Sequence, residues 1–162
     1  GTYPLPEAQM DRFFMRISIG YPSIEDEMDI LERYSAPVSP LSTLQPVCSA
    51  EDILAMQAAV AEIYCSREVR SYVANITSAT RHHPALQLGV STRGAIALIK
   101  AAQACALLAG RDFILPEDVQ RMALPVLCHR VMLSPEARMK ADTPDRIVSS
   151  IIDGVQVPVR VK

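Results

Sequence analysis

Residues 91–110 read STRGAIALIKAAQACALLAG, and this stretch decides the fold. Ser91 is placed to cap a helix, and Gly110 sits where a left-handed residue would close it. Between them almost every position is Ala, Ile, Leu or Cys, so the helix belongs at the centre of a helical bundle. Lys100 and Gln103 interrupt the run, which is therefore no membrane span. Arg93, Lys100 and Gln103 form its one polar stripe. Arg93 is the anomaly, because a cation in the first turn opposes the positive end of the helix dipole. Either it faces solvent at small cost, or it helps the free N–H groups hold something negative, such as a phosphate.

Helical signals extend on both sides of this stretch. Ser49 with Asp52 caps residues 50–65, and Ser66 caps 67–81, where Val69, Tyr72, Val73 and Ile76 share one apolar face. HHPALQLG (82–89) reads as a break. Pro116, Glu117 and Asp118 open a helix in which Pro125 should produce a kink or a split. Thr143 and Pro144 begin a last helix through Ile147, Ile151 and Ile152, closed by Gly154. The tail VQVPVRVK (155–162) alternates and could pair as an edge strand, although Pro158 limits it.

The first part of the chain differs. Pro6 and Glu7 start a short helix reaching about Phe13. FMRISIG (14–20) then alternates, with Met15, Ile17 and Ile19 on one face, as in a half-buried strand. No other strand lies near it in sequence, and a lone strand cannot bury itself. Its sheet is expected in another part of the protein or in another chain. In a structure of this chain alone, residues before about Ser23 are expected to lack fixed structure or to pair with a neighbour. Ser23 and Asp26 cap a helix carrying Ile24, Met28 and Leu31, and the proline-bearing SAPVSPLSTLQPV (35–47) reads as a connector.

Composition narrows the function. The 162 residues fit one domain, or a small domain with a piece of another, and 49% hydrophobic residues suffice for a core. A net charge of −2 and a pI near 5.9, without a basic stripe, argue against nucleic acid as a partner. The four cysteines form no C-x-x-C pair and read as reduced, which points to the cytoplasm. His82 and His83 are adjacent and His129 has no ligand at metal spacing, so all three read as solvated helix ends and no metal ligands are assigned. No Gly-rich phosphate loop is present, which argues against an independent nucleotide hydrolase. Arg12, beside Asp11, reads by default as a salt-bridged structural arginine.

Two long stretches carry a resemblance. GTYPLPEAQMDRFFMRISIGYPS (1–23) resembles the segment after sensor 1 in the MoxR-type AAA+ ATPases. LGVSTRGAIALIKAAQACALLAGRDFILPEDVQRMALPVLCHRVMLSPEA (88–137) resembles their lid domain, and the Arg-His-His-Pro stretch at 81–84 agrees. The resemblance implies that Arg12, in Asp11-Arg12-Phe13, is an arginine finger reaching the ATP of the neighbouring subunit. It implies that Arg93, with Ser91, is sensor 2 on the phosphates of the same subunit's nucleotide. Both roles suit a guanidinium aimed at a phosphate being transferred. Thr92 stands where the family more often has proline, which should alter the orientation of Arg93 slightly.

The resemblance thus implies a mainly α fold: a helical-bundle AAA+ lid domain preceded by a helix–strand remnant of an αβα nucleotide-binding core. Residues 1–23 would be that remnant, 24–48 a connecting helix and Pro-rich linker, and 49–162 the all-α lid. The chain opens on Gly1 and not Met, so Walker A, Walker B and sensor 1 are expected upstream. These residues alone would be inactive and hold no nucleotide tightly, whereas the parent would use ATP and Mg. The parent is expected to be a cytoplasmic ring, a hexamer, with von Willebrand factor A domain partners. It would remodel or assemble client complexes, often metalloenzymes, with no role for nucleic acid or membrane. The alternative is a nucleotide-independent helical protein-interaction module.

Overall fold

The computed structural model describes residues 5–35 and 37–158. The helices are α1 (Glu7–Met10), α2 (Ile24–Ser35), α3 (Ala50–Glu62), α4 (Arg67–His82), α5 (Thr92–Leu108), α6 (Pro116–Leu127), α7 (Pro135–Met139) and α8 (Pro144–Gly154). Two short strands, β1 (Leu86–Leu88) and β2 (Met132–Leu133), complete the pattern with 3-10 turns at Pro40–Thr43 and Cys128–Arg130. The fold is mainly α, as expected. By compactness, residues up to Arg16 and from Gln57 onward form one unit, and Ile17–Met56 form a second.

In the larger unit α5 packs most extensively on α6, with α4 and α8 beside them. Ala97, Ala101, Ala102 and Ala106 of α5 are buried, and these small side chains let neighbouring backbones come close. Tyr72, Ile76, Leu98, Leu127 and Val148 are among the larger side chains buried beside them. The cap residues act as their sequence implies: Ser66, Ser91, Ser134 and Thr143 each accept a backbone N–H of the first turn. Gly110 has φ +69° at the end of α5. All four cysteines are free thiols.

α6 is not split by Pro125, and the Pro125 carbonyl accepts the Arg16 N–H at 2.8 Å. HHPALQLG is not only a break: β1 pairs antiparallel with β2, Leu86 opposite Leu133. Tyr64, expected in a helix, leaves α3 and exchanges backbone bonds with the segment at Phe113, donating to the Asp112 carbonyl at 2.7 Å. Residues 155–158 make no strand, and 159–162 lie outside the described residues.

Asp118 fastens the start of α6. It is 8% exposed, takes two hydrogen bonds from Arg111 at 2.6 and 2.8 Å, and accepts the Leu115 N–H at 2.8 Å. Burial raises its pKa, but the Arg111 and Leu115 hydrogen bonds outweigh this and hold it below the usual carboxylate range. A depressed carboxylate contributes stability above its unfolded pKa, about 4, and loses it as pH falls through the folded value. Asp118→Asn is therefore expected to lower stability by about 2 kcal/mol at neutral pH. The gap should shrink as pH falls from about 5 to 3 in urea unfolding.

Within residues 17–56, α2 has the predicted Ser23–Asp26 cap, with Asp26 accepting the Ser23 hydroxyl at 2.7 Å. Its apolar stripe is uncovered: Ile24, Met28 and Leu31 are 81%, 64% and 65% exposed. Residues 14–20 form no strand ladder, and Ile17 and Ile19 are 73% and 95% exposed. The physical reason is the one the sequence supplies, since no neighbouring strand among the described residues pairs with them. Residues 11–16, by contrast, are held on the helical unit by a polar grip that the sequence reading missed.

Candidate functional site

The site is built from the start of α5. Two residues ahead of its cap, Gly89 passes so close to the end of α4 that a Cβ there would lie 2.6 Å from the Arg81 backbone. Val90 is then tied on both sides: its N–H donates to Thr80 Oγ1 at 2.9 Å, and its carbonyl accepts Arg81 Nε at 2.8 Å. This fixes Ser91, whose Oγ accepts the Gly94 N–H at 3.3 Å and donates to the Asp11 carboxylate at 2.9 Å. Arg93 follows in the first turn, exposed.

Arg93 and Lys100, two turns apart on one face of α5, open onto a groove of about 600 Å³ that also receives Arg12. Phe14, Ile96 and Ala97 supply apolar lining, and Arg130 completes one wall. Among the described residues, none of Arg12, Arg93 and Lys100 has a carboxylate within salt-bridge distance. Cations gathered in one groove without counter-ions repel one another, and a phosphate would relieve that repulsion with charge-assisted hydrogen bonds. Gln103, the third member of the polar stripe, is instead structural, its Nε2 donating to the Ile63 carbonyl at 2.8 Å.

The ion pair expected of Arg12 is made by another residue. Asp11 pairs with Arg130 at 3.3 Å, and the Arg130 side chain is only 1% exposed. Arg130 also donates to the carbonyls of Asp11 (3.3 Å), Phe14 (3.2 Å), Phe13 and Val126. Burial pulls Arg130 below the usual arginine value and Arg93 adds to this, while Asp11 opposes it. A guanidinium remains charged through such a shift.

His129 is likewise not a solvated helix end. It is 8% exposed, with Nε2 3.0 Å from the Phe13 carbonyl, so Nε2 carries the proton and donates. Burial lowers its pKa, partly offset by that hydrogen bond and reinforced by Arg130 and Arg16. A histidine with a lowered folded pKa makes the unfolded chain the better proton acceptor below about pH 6.5. Stability should fall as pH drops through that point, and His129→Gln should flatten this part of the urea-midpoint profile.

The site therefore brings Arg12 and Arg93 together, while Ser91 acts from behind as cap and as Asp11's partner. Arg130 and Phe14 were not singled out from sequence, and the one available signal for Arg130 was a cation directly after the apolar run of α6.

Comparisons with known proteins bear on the fold and family of the chain. Residues 78–151 match the family described as the AAA lid domain. The chain is 46% identical to the uncharacterized protein YeaC of Bacillus subtilis (strain 168), with 99% of this chain and 50% of that protein covered. It is 34% identical to the Chaperone MoxR1 of Mycobacterium tuberculosis, with 98% and 44% covered. A crystal structure from Cytophaga hutchinsonii, assigned as an ATPase, superposes with a TM-score of 0.90 at 32% identity, covering 98% of this chain and 51% of that one. The chain belongs to the MoxR-type AAA+ family. It spans about half the length of the curated relatives it matches. Within this MoxR-type lid region, no helix among the described residues is long and apolar enough to cross a membrane.

Proposed function

We propose that the groove between Arg12, Arg93 and Lys100 receives the phosphates of ATP, and that the complete protein is a chaperone-type ATPase. The observation that carries this is the convergence of three exposed cations, without carboxylate partners among the described residues, along the N-terminal half of α5. When bound, ATP supplies the phosphoryl group to be transferred. The residues of this chain bind its negative charge and orient it, while Phe14 and Ile96 limit water beside it. Magnesium does not fit this face: the groove lining holds no carboxylate, and the described residues contain no metal-binding cluster.

A shared groove favours one nucleotide met by both arginines. With Arg12 acting across a subunit boundary as an arginine finger, Arg93 would cross the same boundary, in place of the own-subunit contact that the resemblance alone implied. The reading extends to a cytoplasmic ring, a hexamer, working with von Willebrand factor A domain partners on client complexes that include metalloenzymes. The relative named Chaperone MoxR1 supports the chaperone part. A nucleotide-independent interaction module would leave the gathered cations without a purpose.

The test is steady-state ATPase activity of the complete protein. Arg12→Ala and Arg93→Ala should each lose turnover, and each should be partly rescued by mixing with subunits defective in the phosphate loop. Rescue of Arg12→Ala alone would place Arg93 on its own subunit's nucleotide. Unchanged rates in both would refute the site.

A further inference from the structure

Arg130 forms one wall of the groove and contacts three parts of the larger unit together. Its donors go to the Asp11, Phe13 and Phe14 carbonyls of the N-terminal segment and to the Val126 carbonyl of α6. Its Nε faces the Asp11 carboxylate at 3.3 Å, and that carboxylate also accepts from Ser91, the cap of α5. Its stem packs against the first turn of α5 so closely that a Cβ on Gly94 would lie 2.9 Å from Arg130 Cδ. One buried side chain thus joins the backbone on both sides of Arg12 to the turn that carries Arg93.

The N-terminal segment has little else to hold it. No residue of α1 is buried, and Phe13 and Phe14 are 54% and 46% exposed. Apolar burial therefore cannot fix where Arg12 points, and the polar contacts must. Beyond Arg130 these are Ser91 Oγ on the Asp11 carboxylate, His129 Nε2 on the Phe13 carbonyl, the Arg16 N–H on the Pro125 carbonyl, and an exposed Arg16–Asp145 pair at 3.6 Å. Arg130 supplies more of them than any other residue, and its rigid five-donor fork suits several carbonyls at once where a lysine ammonium does not.

Resting on the reading of the groove as an ATP phosphate site, we propose that Arg130 is the positioning residue of that site. It locks the Arg12 segment to the start of α5, so that Arg12 and Arg93 move as one body when the lid moves. Any lid displacement then changes the reach of both arginines together, which makes ATP turnover sensitive to lid position. Arg130 does this through Arg12 and does not itself meet the phosphate, since its Nη donors go to backbone carbonyls and its buried Nε faces the Asp11 carboxylate.

The experiment uses the complete protein and two readouts, ATP turnover and amide hydrogen exchange. Arg130→Met should lower kcat about 100-fold with KM for ATP little changed, as expected for a reactive group misplaced by about an ångström. Added to Arg12→Ala, it should cost no more than about a further twofold, because both changes remove the same contribution. Exchange in residues 11–16 should speed at least about tenfold while that in α4, α5 and α6 stays unchanged. Arg130→Lys should recover little. If Arg130→Met also loosens those helices, Asp11→Asn, which keeps the arginine, decides by the same pattern at smaller size.

A full independent loss in the Arg12→Ala background, or unchanged exchange in residues 11–16, would overturn the proposal. If Arg12→Ala itself leaves turnover unaltered, the phosphate reading of the groove fails. The exchange readout then decides separately whether Arg130 locks the segment.

Discussion

Replacing Arg12 by alanine in the complete protein is expected to lower ATP turnover by roughly 10³-fold at saturating ATP, the lower end of what an arginine finger contributes. The lower end is chosen because Arg93 and Lys100 open onto the same groove and remain to balance part of the charge. The loss should fall on kcat with KM nearly constant, since a finger contributes most where charge develops in the transition state. Arg12→Lys should restore little, because an ammonium cannot offer the planar pair of donors that a phosphoryl group accepts. Steady-state kinetics of the three proteins measure this. A change within about twofold in Arg12→Ala would return Arg12 to the exposed surface.

The second large effect is on stability. Gly89→Ala is expected to cost about 3 kcal/mol, because its Cβ would meet backbone and not a yielding side chain. The contacts would be Arg81 N and Cα at 2.6 Å and Thr80 C at 2.7 Å. Relief would require moving the strand end away from α4, which breaks the two hydrogen bonds at Val90 and shifts Ser91. Gly110→Ala is the control. Gly110 has open space around it and a φ of +69°, so its replacement carries only left-handed backbone strain, about 1 kcal/mol. Urea midpoints should separate the two clearly. Equal midpoints would show that the α4–α5 crossing yields more easily than its geometry implies.

Much of the helical unit was legible in order along the chain. Caps such as Ser66, Ser91 and Thr143 and the apolar repeat of α4 are local signals, because a capping bond spans three residues and a helical face recurs every three or four. Arg93 stood out for the same reason, as a cation in the first turn of a helix whose boundary was already clear. β1 and β2 were not legible, since strands of three and two residues gain their identity only by pairing across more than forty residues of chain. α7 escaped for similar reasons of length.

Arg130 and His129 mark the limit of sequence reading most clearly. In sequence they are two polar residues after the apolar run of α6, and a solvated end is the natural interpretation. Folding brings residues 11–14 over them from more than a hundred positions away, and the backbone carbonyls there become the acceptors of their donors. The ion pair with Asp11 moved in the same way. Adjacency suggested Arg12 as the structural partner, but packing gives Asp11 to Arg130 and leaves Arg12 free to open onto the groove.

By itself, then, the sequence determined most of the helices, their caps and the charge at the head of α5. These depend on neighbours a few residues apart, whose geometry the backbone fixes. The tertiary structure alone decided which cations share a groove, which arginine is buried, and what holds the Arg12 segment in place. Those depend on where distant backbone carbonyls and carboxylates come to rest, and on the need of each buried polar group for a partner.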